Sequence, residues 1–194
     1  MSVELATIYQ GVKTGVSIVK IVLRYLDNSF DSLFREIAEM HYTSARQAFA
    51  DAERMNDVER RNFEIQVARV HLRDTFNAYQ HFLNRKRRVF STPISADKKV
   101  GALSRCIEIA TLIALTYAEV GEEPNAKAWR DEAWRQFAIY EPVYRKLARS
   151  DSYAWDPGPP KKRVFDEPYF QRMLQELESD RVQLDQIFRV KGIA

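Results

Sequence analysis

Apolar side chains return every three or four positions along almost the whole of this chain, which is the period of a single α-helical face. Over roughly 3–26 the stripe is Leu5, Ile8, Val12, Val16, Val19, Leu23 and Leu26. A second stripe, Phe30, Phe34, Ile37, His41, Ala45, Ala48 and Ala52, runs to about Met55. No run of five or more residues alternates with the period of two that a half-buried strand needs. The expectation is therefore an all-α fold without a sheet: about six mostly antiparallel helices, forming a helical bundle or a short stack of helical hairpins. The chain has 194 residues, 45% of them hydrophobic, and only 6 glycines, which is too apolar for disorder and too glycine-poor for a turn-rich β-protein.

Local signals divide the pattern. Ser2 and Glu4 suit the start of the first helix, and Asn28 with Ser29 breaks it. Asn56 with Glu59 reads as a capping pair for a third helix running towards Arg88, with Phe63, Val67, Val70, Phe76, Tyr79 and Leu83 on its buried face. A turn around Pro93 leads to a fourth helix that ends at Gly121. Pro124 sits in the first turn of a fifth, whose face is Ala126, Trp129, Ala133, Phe137, Tyr140 and Tyr144. Pro142 lies within that pattern and should kink or end the helix near Tyr140. The division is one all-helical domain over 1–194, with an amphipathic helix at 1–26, a Pro/Gly-rich loop at 151–165, and a C-terminal helix at 166–190 opened by Asp166 and Pro168.

Thirty basic residues stand against 27 acidic ones, so the net +3 does not by itself point to a polyanion partner. Cys106 is the only cysteine and falls in a stripe with Leu103, Ile107, Ala110 and Ile113, which predicts a buried thiol and suits a reducing cytoplasm. Lys13, Lys20 and Arg24 interrupt what would be the apolar core of a signal peptide. The longest uncharged run, Ile109 to Ala118, is about half the ~20 residues of a spanning helix, so no transmembrane segment is expected.

At the fourth and fifth helices, Ile113, Ala114, Tyr117, Gly121, Ala126 and Ala133 stand at the spacing of small and aromatic residues in a tetratricopeptide repeat. Ala45, Phe49 and Ala52 resemble the second helix of another such unit, although Arg130 stands where an aromatic is usual. The resemblance covers residues 110–137 and implies a concave surface for peptides or partner proteins.

Reactive constellations are scarce. The residues three before His41, His71 and His81 are alanines, so the Glu-x-x-His pairs of di-iron bundles are absent. Three scattered histidines and one cysteine predict no zinc site, and no dinucleotide fingerprint, phosphate loop or nucleophile elbow occurs. Arg35-x5-His41 resembles the Arg-x4–6-His motif of the HEPN helical ribonucleases, whose arginine and histidine assist RNA cleavage, but Glu36 follows the arginine where Asn, Asp or His is usual. The alternative is that His41 fills an interior stripe.

Two basic features remain. Arg85, Lys86, Arg87 and Arg88 end the third helix, with Lys98 and Lys99 across the turn. The four at the helix C-terminus complement its dipole, or the cluster binds an anion, nucleic acid included. The first helix joins a broad apolar face to Lys13, Lys20, Arg24 and Gly11-x-x-x-Gly15, as suits either its own core or an anionic membrane surface, which would place the protein peripherally on a membrane. Lys161, Lys162 and Arg163 beside Trp155 make a looser cluster. The expected function is a non-enzymatic interaction module, adaptor or subunit in the cytoplasm, with no catalytic residues, metal or small-molecule cofactor. Its partner would be another protein or its own copies, anchored by Tyr140, Tyr144, Tyr153, Trp155 and Tyr169.

Overall fold

The computed structural model describes residues 32–84, 94–156 and 162–193. The helix expected at 3–26, with Lys13, Lys20 and Arg24, lies outside them, as does the cluster Arg85–Arg88. The described chain folds as an all-α bundle of five helices, α1 (Ser32–Arg54), α2 (Val58–Asn84), α3 (Ala96–Glu119), α4 (Glu123–Asp151) and α5 (Glu167–Val190). Neighbours in sequence are neighbours in space: α2 packs on α1 and α3, and α4 on α3 and α5. Three-residue connections at 55–57 and 120–122 turn α1 into α2 and α3 into α4, giving antiparallel hairpins.

Helix α3 is the centre. Every residue from Val100 to Tyr117 except Arg105 is buried. It is the one described helix long and apolar enough to cross a membrane, and 89% of its apolar window is buried inside the protein. Helix α2 packs on it and α1 packs on α2, with small buried side chains, Ala38, Ala45, Ala48, Ala52, Ala68 and Ala78, which permit short interhelical distances. The guanidinium of Arg69, taken into this core, is paired. Arg69 donates to the Thr116 carbonyl at 3.1 Å and lies 3.6 Å from the centroid of the Tyr117 ring.

The ends of α3 and α5 share one device. Gly121 and Gly192 take φ of 75° and 67°, the left-handed region that glycine occupies without strain. Each lets two amides fold back on the last turn: Gly121 to Ala118 at 3.1 Å with Glu122 to Tyr117 at 2.9 Å, and Gly192 to Arg189 at 3.0 Å with Ile193 to Phe188 at 2.9 Å. Gly121 and the Asp166 cap of α5, which accepts from the Tyr169 amide at 3.0 Å, match the sequence reading.

Four expectations change. The cap of α2 is Asp57, not Asn56, and its carboxylate accepts from the Arg60 amide at 2.9 Å. Helix α4 runs unbroken through Pro142 to Asp151. Pro142 and Ala138 are both exposed, so the carbonyl that loses its intrahelical partner there is open to water. The 151–165 loop contains an antiparallel ribbon, β1 (Tyr153–Asp156) paired with β2 (Lys162–Phe165), so a small two-stranded sheet does exist. Aromatic packing holds it to α5: the Tyr153 and Phe165 ring centroids are 5.1 Å apart, and those of Phe165 and Phe170 5.4 Å. Finally, α2 buries Ile65, Leu72, Phe76, Tyr79 and Phe82, whereas Phe63 and Val70 are 61% and 57% exposed. At about 100° per residue, Phe63 and Val70 lie opposite the buried stripe, while Val67 at its edge packs against the core, so α2 carries exposed apolar side chains on a side that its neighbours leave open.

Candidate functional site

The outer side of the α1–α2 hairpin gathers the chemistry that the sequence scatters. One turn beyond Val70 on α2 stands Asp74, with His71 three residues before it on an adjoining part of the same face. Helix α1 brings His41 against them. The Nδ1 atoms of His41 and His71 are 3.2 Å apart, and the His41 Nδ1 lies 3.8 Å from an Asp74 carboxylate oxygen. One ligand-capable atom from each of the three falls within 4.8 Å of the others. The imidazole rings are tilted by 37° with centroids 5.5 Å apart.

An Nδ1 to Nδ1 contact needs one donor and one acceptor, so the two rings share a single proton along it. The remaining separation, to Asp74, is too long for a hydrogen bond. The side chains of His41 and Asp74 are 24% and 47% exposed, so the cluster opens to solvent. The fold thus brings together three side chains of metal-ligating type, a grouping that spacing along the chain does not show. Its residues were out of reach of a reading by spacing, since one ligand is 30 positions from the next and on another helix. For the ribonuclease-like motif, Arg35 and His41 share α1 but lie six positions apart, about 120° off one face.

The aromatic anchors separate. Tyr140 is 0% and Tyr144 5% exposed, so both belong to the α4–α5 interior and present nothing to a partner. Tyr144 donates to Glu176 at 3.4 Å. Burial, with the Asp180 and Glu176 charges nearby, pushes the Tyr140 and Tyr144 hydroxyls well above the usual phenol range. Asp180 in the same seam is pushed up to about 7, by burial first and by Glu176 second. Tyr153 is 39% exposed, and Tyr169 is half-buried with the Arg172 guanidinium 5.5 Å from its ring centroid. Trp155 pairs with Arg163 in the ribbon. Lys98 and Lys99 are half-buried in the first turn of α3, at the positive end of the helix dipole, where a cation is disfavoured.

Cys106 is buried, as expected, and the Gln80 amide lies 3.4 Å from its sulfur. Burial pushes its thiol up to about 12, far from the range of a nucleophile. Comparison with protein-family models, with curated proteins and with solved structures gives no match.

Proposed function

We propose that this chain is a helical protein–protein interaction module, an adaptor or subunit of a larger assembly, docking through the outer face of the α1–α2 hairpin. The observation that carries the reading is the second apolar side of α2, where Phe63 and Val70 stay more than half exposed on the side opposite the core. Apolar area covered by a partner contributes about 25 cal/mol per Å², and aromatic side chains are preferred anchors. The partner surface is an apolar helix face, of another protein or of a second copy.

A tetratricopeptide-like character belongs to the same proposal. Ala114, Ala126 and Ala133, buried where α3 crosses α4, suit it. A cytoplasmic setting suits the lone buried thiol.

The test is the apparent mass of the chain in extracts of cells that make it at natural level, fractionated by size at mild salt. The wild type is expected well above its own 22.7 kDa, and Phe63→Glu with Val70→Glu should move it to the single-chain position while leaving its helical circular dichroism intact. A wild type that runs as a single chain, or a folded double variant that stays in the large fraction, contradicts the proposal.

A further inference from the structure

We propose that His41, His71 and Asp74 form a binding site for a divalent transition-metal ion, zinc by the character of its ligands. Two imidazoles and one carboxylate are a borderline-soft set, preferred by zinc and its neighbours over magnesium or calcium, which take oxygen ligands. The geometry supports the assignment. With bonds of about 2.0–2.1 Å, the edge between two ligands of a tetrahedral ion is ~3.3 Å, and that of an octahedral ion ~3.0 Å. The observed separations of 3.2 Å between the imidazole nitrogens and 3.8 Å from His41 to Asp74 lie closer to the tetrahedral edge. The ligand atoms all lie within 4.8 Å of one another, and a side-chain torsion in the partly exposed Asp74 draws its carboxylate in towards both imidazoles.

The site also answers how its groups are satisfied. Without an ion, the rings can share one proton and Asp74 makes no hydrogen bond to His41 across 3.8 Å. An ion in place of the shared proton, displaced towards Asp74, binds both nitrogens and the carboxylate together. His71 and Asp74 are held by three-residue spacing on one helix, and His41 by the alanine-lined packing of α1 against α2. Three protein ligands leave a fourth position open towards solvent, the pattern of zinc sites that exchange a water or an incoming ligand. The inference does not depend on the interaction reading, and either can fail without the other.

The experiment uses the full chain without an affinity tag, stripped by chelator and dialysed against zinc, with bound metal counted by mass spectrometry. One zinc ion per chain is expected, and cobalt should give the intense visible bands of a four-coordinate ion. His41→Gln and His71→Gln should each weaken binding by about 100-fold, at or above the loss seen when an outer-shell group alone is removed, while His81→Gln leaves it unchanged. Asp74→Asn, the mildest change, covers the case in which a histidine variant fails to fold. A wild type that retains no zinc, octahedral-type weak cobalt bands, or binding that survives His41→Gln with His71→Gln overturns the proposal.

Discussion

The Tyr42 hydroxyl donates to the Glu108 carboxylate at 2.8 Å, joining α1 to α3 across 66 positions of sequence. Glu108 also takes the Arg105 guanidinium at 2.7 Å, and Arg105 lies 5.5 Å from the centroid of the Tyr42 ring. A buried carboxylate is thus paired and hydrogen-bonded, the condition under which a charge can be held away from water. Tyr42→Phe removes one hydrogen bond to a charged group and should lower unfolding free energy by about 1.5 kcal/mol. Glu108→Ala leaves Arg105 unpaired and should cost about 3–5 kcal/mol. Urea titrations check both, with an unchanged slope marking a change in stability alone.

Tyr140 gives the opposite case. Its hydroxyl is buried and has no hydrogen-bond partner, whereas its ring is fully enclosed between α4 and α5. Tyr140→Phe keeps the ring and removes the unpaired group, so stability should stay within about 0.5 kcal/mol or rise. Tyr140→Ala opens a cavity and should cost about 3–5 kcal/mol. The ratio of the two effects in denaturant unfolding is the check.

Asp180 sets a pH dependence. Its folded carboxyl titrates at about 7, raised by burial and then by Glu176, against about 3.9 when unfolded. Between these values the folded chain holds a proton that the unfolded chain releases, so this group makes stability fall as pH rises from about 4 to 7 and adds no further slope above. Asp180→Asn should flatten that limb. It should also raise stability at pH 8 by about 1–2 kcal/mol, less than the full linkage value because solvent screens a partly exposed group.

Cys106 offers a probe of opening. A buried thiol held up at about 12 should resist alkylation at pH 8 in the native chain. Labelling followed by mass spectrometry should give rates that scale with the open fraction across a denaturant series. Fast labelling without denaturant would place the thiol outside the core.

The periodicity of apolar residues carried the helices because burial of one face per turn is what selects them, and Gly121, Pro124 and Asp166 marked ends through local backbone chemistry. It could not choose between the two apolar sides of α2, since Phe63 and Val70 repeat as regularly as Ile65 and Leu72. Which side is buried depends on where α3 lies. The ribbon escaped because each strand is four residues long, below what alternation can reveal, and Pro/Gly-rich chain reads first as loop. Pro142 looked like a helix end because its cost depends on exposure, which spacing does not give. The His41–His71–Asp74 cluster depends on the register between α1 and α2, a tertiary quantity absent from any window of sequence.

The register of that first hairpin underlies both the outward apolar stripe and the three-residue cluster, and nuclear magnetic resonance can read it directly. With ring centroids 5.5 Å apart, the imidazole protons of His41 and His71 should show a mutual Overhauser effect that His81 shares with neither. An assigned spectrum in which His41 and His71 report no proximity, in a chain whose circular dichroism is helical, would contradict the account.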